Sequence, residues 1–314
     1  LLDAGVQPLA ALLDQSHKRG MEFMAGMRVN DNHGHVSVRQ GAGAGASFLT
    51  NNPQWQIKDA KGSVAAKMSV HMDFTHAEVR NFVTSVAEHM LDQFDLDGIE
   101  LCFRDREYFP DGVEEERAPL MTDFVRSVRD VLHTAGTTRG RNLMLGVRVY
   151  ATLEICRAQG LDIPTWIKEG LINYVAPGDL MYMATNEPME QFGELTRDTG
   201  CMFYPGMLPH NSARRLRLLG GEPLNADQQR AVAQNYFAAG ADGLSFYNHP
   251  NPVNWAPFYP MQLFTMHELG DPEKVARGAR HYVFEPILAG QALWSAGVKL
   301  KERPESQRIA LSRA

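Results

Sequence analysis

Glu100 stands in the run Gly98-Ile99-Glu100-Leu101-Cys102-Phe103-Arg104, where Ile99, Leu101 and Phe103 form an apolar alternate set. Such alternation marks a strand with one face in a core, and it leaves Glu100, Cys102 and Arg104 on the other face. A carboxylate in that setting costs free energy unless a cation or donor meets it. Arg104 is the same-face cation in sequence, two strand steps or roughly 6.6 Å along the chain. Neighbouring runs sort in the same way. Arg28 and Asn30 fall opposite Phe23, Ala25, Met27 and Val29; Ser69, His71 and Asp73 fall opposite Met68, Val70 and Met72; Arg148 and Tyr150 fall opposite Leu143, Leu145, Val147 and Val149. Carboxylates, an imidazole and arginines brought to one rim can move protons and hold an oxygen-rich ligand. Any one of them could instead belong to a buried structural network, but an interior serving stability alone would be dominated by Val, Ile and Leu.

The elements that must position these residues alternate between short β-like runs and amphipathic helical runs, the pattern of a parallel sheet with crossover helices. Seven strands are expected: Glu22–Val29, Met68–Asp73, Gly98–Phe103, Leu143–Val149, Ile172–Ala176, Cys201–Tyr204 and Gly243–Tyr247. Thr75-His76-Ala77-Glu78 has the form of a capping box ahead of Val79, Phe82, Val83, Val86 and Met90 at helical spacing. Further helices are predicted over about Pro119–Leu132 and Ala226–Ala239. The fold class that follows is α/β, a (β/α)8 TIM barrel. The chain opens on Leu1 with a helix already ahead of the first visible strand, so a further strand is expected upstream. The barrel is expected to occupy residues 1–277, and residues 278–314 an extension that begins a small β appendage. The connections Asn30–Lys67 and Arg104–Pro119 follow the C-terminal ends of strands, where barrel enzymes build their sites. Gly41–Ala46 reads as a flexible loop tip, since a phosphate loop needs the context GxxxxGK[ST].

Composition narrows the partners. A formal charge of −6 offers no general basic field for nucleic acid or an anionic membrane. The apolar stretches, such as Leu143–Val147, fall far short of a bilayer span. Cys102, Cys156 and Cys201 are odd in number and lack CxxC spacing, so they read as small buried apolar residues.

Five segments, His17–Gly34, His76–Phe82, Asp95–Phe109, Gly160–Asp179 and Ala241–Asn248, resemble bacterial glycosyl-hydrolase-like barrels distantly related to family-ten glycosidases. The resemblance implies a carbohydrate substrate, no cofactor, and acid/base hydrolysis of a glycosidic bond. It also implies a periplasmic or extracellular location, since bacterial polysaccharide degradation is commonly exported. Glycosidases usually employ two carboxyl groups, about 5–5.5 Å apart for retention or about 6.5–9.5 Å for inversion. Glu100, Asp73, Asp31, Asp105, Glu107 and Asp179 are the candidates, and Glu100 with Asp73 or Asp31 is the expected pair. Asp31 also reads as a turn residue and Asp73 as a helix-start residue. The acidic DxxDxDxE strand of barrel chitinases is similar to Asp97–Arg104, but Cys102 and Arg104 stand at its third acid and its catalytic glutamate. That mechanism is therefore not carried over.

Arg28, Asn30, His33, His71, Arg104, Arg148, Tyr150, Tyr204 and Asn248 are the expected substrate-binding residues. Arg28, Arg104 and Arg148 suit an acidic or sulfated sugar, or else neutralise Glu100, Asp73 and Asp31. Trp55, Tyr108, Phe109, Tyr150, Tyr204, Tyr247 and Trp255 lie near strand ends, where rings can stack on sugars. Two alternatives stay open: a metal-dependent hydrolase or isomerase using His33, His35, His71, Asp73 and Glu100, and a barrel that binds carbohydrate without cleaving it.

Overall fold

The computed structural model describes residues 7–31, 47–58, 71–103, 107–178, 187–208, 224–247 and 266–282. Its strands are β1 Met24–Arg28, β2 Gly98–Cys102, β3 Met144–Val149, β4 Tyr174–Pro177, β5 Met202–Phe203, β6 Gly206–Met207 and β7 Ser245–Phe246. β1 to β5 lie side by side in chain order, every pair parallel, and β6 pairs in parallel with β7. Only Tyr204 and Pro205 separate β5 from β6. The Tyr204 amide still bonds to Val175, while the Pro205 carbonyl already accepts from Ser245. Proline has no N–H to donate, so the ladder changes partner there and one stretch of chain joins β4 to β7. Six successive staves result.

The staves are curled. Laid flat, the first and sixth would stand five strand spacings apart, roughly 24 Å. Yet the Arg28 guanidinium, at the end of β1, donates to the Tyr247 hydroxyl just past β7. Arg148 on β3 likewise reaches Ser245 on β7, at 2.8 Å. Side chains of that length meet only if the sheet wraps around a common interior.

Alternation divides the strand residues as their types require. Ile99, Leu101, Phe103, Leu145, Val147, Val149, Val175 and Phe203 are fully buried. Phe103 packs edge-on against Tyr108 and at a tilt against Trp166, with ring centroids 5.6 and 5.3 Å apart. The helix Glu114–Arg139 adds Phe124, and the Trp166 indole N–H donates to Thr122 of the same helix at 2.9 Å. This aromatic layer between sheet and helices is the core on which the interior face rests.

Three expectations are revised. The helix predicted from Pro119 begins at Glu114 and runs to Arg139, with Pro119 inside its second turn. Glu114, Glu115 and Glu116 favour the positive end of the helix dipole, and Gly140, at φ 67°, ends the helix in the left-handed region. The capping box at Thr75 does not form. The helix Ala77–Gln93 starts after His76, and the Thr75 amide and hydroxyl instead bond Asp73 at 2.8 and 2.7 Å. Finally, of the expected strand Met68–Asp73 only 71–73 lie within the described residues, and these are not a stave of the sheet. β1 pairs directly with β2, and Met72 makes an antiparallel bridge to Gln56. Its alternation was real, but the segment 71–73 lies in the long connection after β1, where a short ladder with 55–57 satisfies its backbone. The C-terminal runs expected to begin an appendage lie almost wholly outside the described residues, which end at Tyr282.

Candidate active site

Register fixes which interior residues meet. Glu100 is level with Gly26 on β1 and Gly146 on β3, and Gly146 is level with Tyr174 on β4. The next interior level up carries Arg28, Cys102, Arg148 and Ala176. Glu100 thus lies one level below Arg148 on the adjoining strand.

The geometry is a fork. Arg148 Nε donates to Glu100 Oε1 at 2.9 Å, and Nη2 donates to Oε2 at 3.1 Å and to the Ser245 hydroxyl at 2.8 Å. The Tyr174 hydroxyl donates to Oε2 at 2.9 Å. A carboxylate offers four lone-pair positions. Three are filled by described residues, and among these residues nothing takes the fourth, on Oε1. Side-chain exposure is 10% for Arg148 and 16% for Glu100, so the pair is largely withdrawn from water. Burial alone would weaken the Arg148 charge, but the charge and hydrogen bonds of Glu100 outweigh it and hold the guanidinium above its usual range. The guanidinium carbon stands 5.3 Å from the centre of the Tyr247 ring, and Nη1 is buried with no hydrogen-bond partner among the described residues.

Two glycines shape the space around Glu100. A Cβ on Gly146 would lie 2.0 Å from Tyr174 Cζ, so the phenol ring occupies the place a side chain at 146 would take. On the other side, a Cβ on Gly26 would meet nothing within 4 Å among the described residues. Among the described residues, the interior beside Glu100 is filled by a ring on one flank and open on the other.

The connections above this level are stitched together by Asn30. Its Nδ2 donates to the carbonyls of Met72 and Glu107 at 2.9 and 2.6 Å, and its Oδ1 accepts from the Met72 amide at 2.8 Å. Asn30 sits at φ 65°, a conformation that asparagine tolerates better than most residues. Both of its amide protons are spent on backbone. His71 is buried, with Nδ1 3.6 Å from Glu107 Oε2. Asp73 is buried as well, and its Oδ1 takes both Thr75 donors, which is the turn that opens the helix Ala77–Gln93. Asp31 lies 3.9 Å from Arg28 Nη1.

Tyr150 is half-buried at the end of β3, and its carbonyl accepts from the Cys156 thiol. Tyr204 is half-buried with its hydroxyl on the Met202 sulfur, two residues back toward the N-terminal end of the strand. His33, Arg104 and Asn248 lie outside the described residues. Among the described residues no group of three His, Cys, Asp or Glu gathers that could hold a metal ion, and no helix is long and apolar enough to cross a membrane. All three cysteines are buried and free. Burial lifts the Cys156 thiol far above its ordinary range, and burial followed by the charge of Asp242 pushes Cys201 up to about 12. They pack as apolar groups.

Sequence reasoning missed Tyr174, Gly146 and Ser245. The signal for the first two was present: Met144, Gly146 and Arg148 form one alternate set, and Ile172, Tyr174 and Ala176 another. A large ring facing a glycine across neighbouring strands follows once register is known.

The model of the family described as Glycosyl hydrolase-like 10 matches residues 1–118, which include β1, β2 and Glu100. No curated protein matches the chain. Among solved structures, it is similar to a glycoside hydrolase family 18 N-acetylglucosaminidase from Paenibacillus barengoltzii, with 12% identity and a TM-score of 0.51, covering 84% of this chain and 87% of that one. It is also similar to the PgaB (BpsB) glycoside hydrolase domain from Bordetella bronchiseptica, with 13% identity and a TM-score of 0.48, covering 80% and 76%. A noncanonic maltogenic alpha-amylase, AmyB, from Thermotoga neapolitana shares 14% identity at a TM-score of 0.42, covering 78% of this chain. The chain spans half the length of that amylase, 50%. At 12% identity the likeness to the N-acetylglucosaminidase concerns the fold alone, a TIM barrel.

Proposed function

We propose that this chain is a glycoside hydrolase in which Glu100 is the fixed carboxylate of the site. The observation that carries the reading is the convergence of Arg148 and Tyr174 on Glu100, beside the open flank at Gly26. A side chain held by three hydrogen bonds is pre-set in position, and one lone pair on Oε1 is left to face a sugar. In that role Glu100 acts by its negative charge, on the positive charge that develops at the anomeric carbon. The proton donor is then a second carboxyl group on the same rim. Asp31, in the connection that follows β1, suits this part better than Asp73, whose Oδ1 is occupied by Thr75. The match of residues 1–118 to the Glycosyl hydrolase-like 10 model supports the reaction class.

The sugar that fits is a neutral one. The Arg148 charge is met within the protein by Glu100, so it does not call for an acidic or sulfated ligand. A panel of neutral, uronate and sulfated oligosaccharides, incubated with wild type and with Glu100→Gln, tests both parts. Neutral substrates should be cleaved, with a loss of about 100-fold or more in the variant. Retained activity in Glu100→Gln would remove Glu100 from the chemistry, and cleavage confined to anionic sugars would overturn the neutral assignment. If nothing on the panel is cleaved but sugars bind, the barrel is a carbohydrate-binding protein.

A further inference from the structure

Tyr174 reaches Glu100 by an unusual route. The two residues stand on β4 and β2, with β3 between them, so the phenol must lie across the intervening strand. It does so at the one position where β3 carries no side chain. Gly146 is level with both residues, and a Cβ there would lie 2.0 to 2.5 Å from three atoms of the Tyr174 ring. Gly146 is therefore a seat for the ring. Tyr174 is 8% exposed, and its hydroxyl has the Glu100 carboxylate as acceptor at 2.9 Å.

We propose that Tyr174, seated over Gly146, is a positioning residue that fixes the Glu100 carboxylate in its working orientation. Arg148 grips the carboxylate from the level above, with Nη2 shared between Oε2 and the Ser245 hydroxyl. Tyr174 supplies a hydrogen bond from the same level and from the opposite side of β3, so that the carboxyl group is gripped from two directions. Burial, followed by the neighbouring Glu100 charge, raises the phenol well above the usual tyrosine range. It stays a neutral donor at any working pH. The arrangement would serve no packing purpose that a phenylalanine could not serve equally well.

The inference rests on the glycosidase reading of this site, and the test separates the two. Tyr174→Phe, Gly146→Ala and the double variant are compared with wild type on the oligosaccharide that wild type cleaves best, with kcat, KM and Tm measured for each. Tyr174→Phe should lower kcat by about 10- to 100-fold with KM within about twofold and little change in Tm, the signature of an interaction used in the transition state. Gly146→Ala should lower kcat similarly by displacing the ring, and the double variant should be no worse than Gly146→Ala alone, because both changes break one contact. A normal kcat in Tyr174→Phe overturns the proposal even if Gly146→Ala fails to fold, and so do losses that multiply in the double variant. A wild type that cleaves no sugar defeats the glycosidase reading itself, and the positioning role falls with it.

Discussion

Arg148 and Glu100 meet from adjacent strands, Nε to Oε1 at 2.9 Å and Nη2 to Oε2 at 3.1 Å, with most of both side chains out of water. A bidentate fork of this kind is directional as well as charged. Its value to stability is mainly negative in sense: neither partner can be removed alone without stranding the other in the interior. Arg148→Met should therefore cost about 3–5 kcal/mol, whereas Arg148→Met combined with Glu100→Leu should recover much of that loss, since an apolar pair needs no compensation. Urea unfolding of both single variants and the double variant measures the coupling. Additive losses would mean that the fork contributes nothing as a pair.

Asn30 ties together the connections above the site. One side chain makes three hydrogen bonds to the backbone of Met72 and Glu107, from a left-handed conformation. Asn30→Ala removes the bonds and also strains the backbone, while Asn30→Gly removes the bonds only. The expected losses are about 3–4 kcal/mol for alanine and about 1 kcal/mol less for glycine, from the typical worth of a partly buried hydrogen bond and the cost of the left-handed region. Chemical denaturation gives the difference. Equal losses would show that the conformation carries no strain.

The staves, the burial of their apolar sets and the interior placement of Glu100 and Arg148 were legible because strand alternation is a local property, written two residues at a time. Which of the three arginines meets Glu100 was not. Arg104 is the nearest same-face cation along the chain, but two strand steps cover roughly 6.6 Å, whereas an adjacent strand lies roughly 4.8 Å away. Arg148 meets Glu100 from the adjoining strand, and no sequence spacing encodes register. Asp73 illustrates the converse error. Its alternation with Met72 looked like a stave, yet the segment serves a loop ladder with 55–57, because β1 and β2 pair with each other and leave no place between them. Tyr174 escaped for a third reason: its role exists only through the absence of a side chain at Gly146.

Asp97 gives the molecule a defined sensitivity to acid at the end of the sheet opposite the site. Its Oδ2 accepts from the Phe23 amide and from His17 Nε2, both at 2.7 Å, and its Oδ1 accepts from Arg141 at 2.7 Å. Burial opposes the charge, but the Phe23 amide, His17 and Arg141 together outweigh it and hold the carboxyl below the ordinary aspartate value of 3.8. A carboxyl group with a depressed folded-state pKa stabilises the fold fully above its unfolded value, and that stabilisation drains away as pH falls through the folded value. Wild type should thus lose stability on acidification below about pH 4, in part through this group. Asp97→Asn should be less stable than wild type by about 2–3 kcal/mol at pH 7, because a charged acceptor with three donors becomes a neutral amide. The difference should shrink as pH falls below 4, since wild type then pays by protonation what the variant has lost already. Urea unfolding at pH 7, 5, 4 and 3 draws the two curves. Parallel curves over that range would show that Asp97 contributes the same stability in either protonation state, and that the acid sensitivity lies elsewhere.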